Sequence, residues 1–63
     1  MGPYFIKLSL KTTNRKIWVN ADKIIAIVEL SDGTSRIDFA GDPRCVNETP
    51  EEILKLIREV YSA

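Results

Sequence analysis

The sequence predicts an α+β domain: a small antiparallel sheet of four to five strands within residues 4–47, then one C-terminal helix over about residues 50–61, packed on the sheet. Three observations carry this. Apolar residues alternate with polar ones with period two along the first half of the chain. Turn residues punctuate that alternation at short intervals. The period then lengthens to that of a helix after Thr49-Pro50-Glu51-Glu52.

From Tyr4 to Lys11, Tyr4, Ile6, Leu8 and Leu10 fall on one face and Phe5, Lys7, Ser9 and Lys11 on the other, the pattern of a strand with one buried side. Thr12-Thr13-Asn14-Arg15 reads as a four-residue loop, with Asn14 the residue suited to positive φ. Such a loop sets Leu10 opposite Ile17 and Leu8 opposite Val19, with Lys16, Trp18 and Asn20 facing outward. Asn20-Ala21-Asp22-Lys23 breaks the pattern as a short turn, and Ile24 to Leu30 is rich in β-branched residues.

Asp32-Gly33 is the strongest short hairpin signal in the chain. A two-residue loop pairs Ser31 with Thr34, sets Glu29 against Arg36 as a charge pair, and gathers Ala26, Val28, Leu30, Ile37 and Phe39 on the core face. Gly41-Asp42-Pro43 marks another turn before a short fifth strand over residues 44–47. Thr49 is then the N-cap, Pro50 takes the first helical position and Glu52 completes a capping box. Ile53, Leu56, Ile57 and Val60 make the buried stripe, broadened by Leu54 and Tyr61, and Glu51 and Lys55 stand one turn apart on the solvent side.

A chain of 63 residues leaves room for one domain, 1–63, and a marginal core. Supplements to such a core are disulfides, metals or self-association. With one cysteine and no histidine, an internal disulfide and a Cys/His metal cluster are excluded, so self-association, as a dimer, is the expected supplement. Nine basic residues balance nine acidic ones, but unevenly along the chain. Residues 1–28 hold five basic residues (Lys7, Lys11, Arg15, Lys16, Lys23) against Asp22 alone; residues 29–63 hold four against eight acids. Either the halves fold together and their charges pair, or a basic patch remains for an acidic partner or RNA.

No apolar run approaches the about 18 residues of a membrane span, and no signal-peptide pattern stands at the start. No membrane insertion is expected, and the unpaired cysteine suits a cytoplasmic setting. The absence of histidine removes Ser–His and Cys–His nucleophile pairs. Glu51 and Glu52 favour the helix dipole rather than forming an acid–base pair, Gly33 and Gly41 are turn glycines, and Cys45 reads as a small buried hydrophobe. The expectation is a non-enzymatic protein with no catalytic, cofactor-binding or metal-ligating residues. The informative surface is the outward sheet face, where this register places Phe5, Trp18, Ile25 and Ile27 with Lys16 and Arg36 at the rim, a composition typical of contact sites.

Two family resemblances attach to these residues. Ile6-Lys7-Leu8, Ile17-Trp18-Val19-Asn20, Ile24, Ile27 and the ending Val46-Asn47-Glu48-Thr49-Pro50-Glu51-Glu52-Ile53 resemble the bacterial FlbD/SwrD family of flagellar and swarming-motility proteins. That resemblance spans nearly the whole chain and implies a non-enzymatic accessory of flagellar function, although the family's Asn-Gly in the first turn is Asn14-Arg15 here. Arg36-Ile37 and Glu51-Glu52-Ile53, in the same order of elements, are similar to the carbon storage regulator family, which implies a dimeric RNA binder. Where that family sets a basic residue directly before its Glu-Glu-Ile segment, this chain has Pro50, beside Glu48. An RNA-binding reading therefore falls on Lys7, Lys11, Arg15, Lys16 and Trp18, as an aromatic and basic surface.

Overall fold

The computed structural model describes residues 4–62. Five antiparallel strands and a C-terminal helix follow in order: β1 (Phe5–Ser9), β2 (Lys16–Asn20), one turn of 3-10 helix (Ala21–Lys23), β3 (Ala26–Glu29), β4 (Ser35–Asp38), β5 (Arg44–Val46) and α1 (Pro50–Ser62). The class is α+β. The strands form two sheets, β1-β2 and β3-β4-β5, rather than one. Just past β1, Leu10 bridges Val46. The Lys11 amide donates to the Cys45 carbonyl (2.9 Å) and the Asn47 amide to the Ser9 carbonyl (2.8 Å), so β1 touches β5 at one corner.

The first hairpin closes on Lys11–Asn14, not Thr12–Arg15. The Leu10 amide donates to the Arg15 carbonyl (2.8 Å) and the Asn14 amide to the Leu10 carbonyl (2.8 Å). Asn14 takes φ 59°, the positive value expected of it. Ile6 therefore lies opposite Val19 and Leu8 opposite Ile17. This pairing differs from the expected one by two residues, and an even shift leaves each side chain on its face.

The second hairpin departs further. Its loop has three residues, Ser31-Asp32-Gly33, closed by the Leu30 amide on the Thr34 carbonyl (2.8 Å). The Gly33 amide donates to the Leu30 carbonyl (3.0 Å) and Gly33 sits at φ 88°, a type I turn followed by a bulge glycine. Asp32 Oδ1 holds the turn by accepting from the Thr34 amide at 3.0 Å. One extra residue displaces the pairing by one: Ile27 faces Ile37, Val28 faces Arg36 and Glu29 faces Ser35. The expected Glu29–Arg36 pair is absent, and Arg36 instead binds Asp38 on its own strand (2.9 Å). Ile27 turns to the core side with Ile37, which overturns its placement on the outward face.

Ile6, Leu8, Val19, Ala21, Ile37, Val46 and Ile53 form the core, so both sheets and the helix contribute. Within α1, Ile53 is fully buried, and Leu56, Ile57 and Val60 pack around the core as the helical spacing predicts. Leu54 and Tyr61 are exposed, so they do not widen that stripe. The capping box forms: the Thr49 amide donates to Glu52 Oε1 (2.8 Å) and the Glu52 amide to Thr49 Oγ1 (3.2 Å). At the other end the Tyr61 ring lies 4.6 Å from that of Tyr4, and its hydroxyl donates to Asp22. That hydrogen bond raises the Tyr61 phenol above its ordinary range.

Glu48 joins the two sheets. Its carboxylate accepts the Ser9 amide through both oxygens (2.9 and 3.1 Å), and its carbonyl accepts the hydroxyl of buried Ser35 (2.8 Å). The Ser9 carbonyl already takes the Asn47 amide in the β1–β5 contact, and the Glu48 side chain supplies the acceptor for the Ser9 amide where the ladder stops.

Candidate interaction surface

The outer face of the β1-β2 sheet collects large side chains that the core does not take. Ile6, Leu8 and Val19 point inward, so the alternate positions Phe5, Lys7, Lys16 and Trp18 must point outward. Phe5 is 45% exposed and Trp18 64%. Phe5 pairs with Asn20 and Lys7 with Trp18, which makes the two aromatics diagonal neighbours on one face. The Lys7 ammonium stands 5.6 Å from the Trp18 ring centre, a cation–π contact that steadies the indole where it projects into solvent. Lys16 reaches back across the strand pair and donates to Ser9 Oγ (2.6 Å).

A groove of about 480 Å³ runs beside Trp18. One wall is four consecutive residues of β2, Ile17–Asn20; the other carries Phe39 and Asp42 from the connection between β4 and β5 and Arg44 at the start of β5. Consecutive residues of a strand point to opposite faces, so a wall made of four in a row is the edge of the strand rather than a face. Sequence reasoning missed Phe39 and Arg44 as neighbours of Trp18. The Gly41-Asp42-Pro43 turn is visible in the sequence, but which strand it would face is not.

Charges divide unevenly over the molecule. Lys11 crosses to Asp32 (2.7 Å), the one ion pair between the basic first half and the acidic second half among the described residues. The Lys11 ammonium, with donors from Thr34, holds the Asp32 carboxyl well below the usual carboxylate range. The other pairs, Arg36–Asp38 and Arg44–Asp42 (3.9 Å), lie within the second half. Lys7, Arg15, Lys16 and Lys23 have no acidic partner among the described residues, and two of them, Lys7 and Lys16, share the outer face with Trp18.

The residues expected at the contact surface thus separate. Phe5, Trp18 and Lys16 share the outer face of β1-β2. Ile25 is 70% exposed just ahead of β3, its amide donating to the Asp38 carbonyl (2.9 Å). Arg36 is exposed on the outer side of the other sheet, and Ile27 packs inward. Cys45 is exposed, opposite Arg36, and not the buried hydrophobe expected; β5 turns Val46 inward and its neighbour outward. Among the described residues no group of Cys, Asp and Glu side chains is placed to hold a metal ion, and no helix is long and apolar enough to cross a membrane. Comparison with family models, with curated proteins and with solved structures finds no match.

Proposed function

We propose that this chain is a non-catalytic interaction module of a bacterium or phage, self-associating in the cytoplasm as a dimer through the part of β1-β2 that carries Trp18. The carrying observation is the exposure of Phe5 and Trp18 side by side on a domain whose core has little apolar surface to spare. An aromatic anchor steadied by a cation is the kind of group that dominates binding energy at protein interfaces. The resemblance to the FlbD/SwrD family supports an accessory role of the same kind, in flagellar or swarming motility. Light scattering over a hundredfold concentration range tests the reading: mass rises to that of a dimer, and Trp18→Ser returns it to the monomer.

A second reading, a small RNA-binding regulator, is favoured by Lys7 and Lys16, which share the outer face of β1-β2 with Trp18 and have no acidic partner among the described residues. Bases would stack on the indole while the cations contact phosphates. It predicts co-purifying nucleic acid and an affinity that falls steeply with salt. A preparation free of nucleic acid, with no salt-dependent RNA binding, rejects it.

A further inference from the structure

We infer that two copies join at the free edge of β2, strand against strand and antiparallel, about a two-fold axis at Trp18. The inference rests on the self-association proposed above and specifies its seam. Hydrogen bonds in an antiparallel pair alternate along the strands. The Leu10 amide binds the Arg15 carbonyl and the Ala21 amide binds the Tyr4 carbonyl (2.7 Å), which fixes the alternation in β1-β2. Ile17 and Val19 therefore turn their backbone groups toward β1. Lys16 and Trp18 turn theirs away, into the groove, where no backbone partner meets them among the described residues.

The strand's own sequence suits a copy of itself. With Trp18 on the axis, the two Trp18 residues exchange both backbone hydrogen bonds. Lys16 then faces the partner's Asn20, and Ile17 faces the partner's Val19. No two like charges stand directly opposite, the arrangement that would oppose pairing. The two Lys16 residues lie four positions apart, about 14 Å along the strands, and the two Lys7 residues about 14 Å apart across three strand spacings. Both separations exceed the roughly 8 Å screening length of physiological salt. Lysines that guard an edge do so by projecting from it, but here Lys16 bends back to Ser9 and Lys7 lies over Trp18. The resulting four-stranded sheet sets the two indoles against each other, flanked by both copies of Phe5.

Other edges are less available. The β1 edge is taken at its end, Ser9, by Glu48 and, just past the strand, at Lys11 by Cys45. The β3 edge, which presents the amides of Ile27 and Glu29, has α1 packed against its strand.

The test uses the full chain made by joining synthetic segments at Cys45, with an N-methyl group on the Trp18 amide. This variant keeps every side chain, blocks the outward donor and leaves the β1-β2 ladder intact. The wild-type chain should dimerise, and N-methylation should raise the dissociation constant by about tenfold or more. Hydrogen exchange of the wild-type chain gives a second readout that does not depend on the variant folding: the Lys16 and Trp18 amides gain protection as concentration rises. A wild-type dimer that N-methylation leaves unchanged, or concentration-dependent protection at Ile27 and Glu29 instead, overturns the seam and leaves self-association standing. A wild-type chain that stays monomeric overturns the self-association reading and this seam with it.

Discussion

Removing the Glu48 carboxylate with Glu48→Ala tests how the two sheets are held together. The Ser9 amide that it accepts belongs to a residue only 7% exposed, and the Ser9 carbonyl is already taken by Asn47. Truncation leaves that amide without an acceptor in a place water reaches poorly. An orphaned buried donor costs about 1–3 kcal/mol. A domain of this size has a total stability of roughly 3–9 kcal/mol, so a loss near the middle of that range lowers the melting temperature by roughly 10 °C. Glu48→Gln keeps an uncharged acceptor and is expected to cost less than about 1 kcal/mol. Glu51→Ala removes an exposed carboxylate from the same region and serves as the control, within about 0.5 kcal/mol of wild type. Urea unfolding at one fixed protein concentration measures all three, because any dimer adds its own concentration-dependent stability. Equal, small losses for Glu48→Ala and Glu51→Ala would show instead that the corner between the sheets does not depend on this carboxylate.

Four further outcomes follow from the same structure. Ile53→Ala opens a cavity where helix and sheets meet, and should cost about 2–5 kcal/mol, the largest loss of the set, read by thermal unfolding. Gly33→Ala meets no neighbouring atom but must hold φ 88°, so it costs roughly 1 kcal/mol through backbone strain alone, read by urea unfolding. Folding depresses the Asp32 pKa, so its contribution is present above the unfolded carboxyl value of about 4 and is lost as pH falls from there toward the folded value. Asp32→Asn should flatten the stability profile in that acid range, and added salt should shrink the difference. Trp18→Ser should leave monomer stability within about 0.5 kcal/mol, since the ring is mostly exposed, while abolishing association measured by sedimentation.

The elements themselves were legible because each rests on local signals. Alternation from Tyr4 to Leu10, positive φ at Asn14 and the Thr49–Glu52 box are properties of a few neighbouring residues, and the structure has all three. The second hairpin shows where local signals stop. Asp32-Gly33 serves a two-residue loop and a three-residue loop with a bulge glycine equally well, and the choice moves Ile27 from the outer face to the core. Pairings distant in sequence left no trace. Nothing around Glu48 announces that it will hold Ser9, 39 residues away, nor that the chain will divide into two sheets. Of the candidate surface, Phe5, Trp18 and Lys16 follow from alternation in β1 and β2. The Phe39 and Arg44 wall depends on how the sheets meet. Cys45 was misread because its residue type suggests burial, whereas its place in β5, next to inward-facing Val46, decides the matter.

Whether the exposed β1-β2 surface brings two copies together is read from the native mass, measured by light scattering over a hundredfold range of protein concentration. The mass should climb from one chain to two and stop there, with Trp18→Ser remaining at one chain throughout. A wild-type chain that stays monomeric across the whole range contradicts self-association.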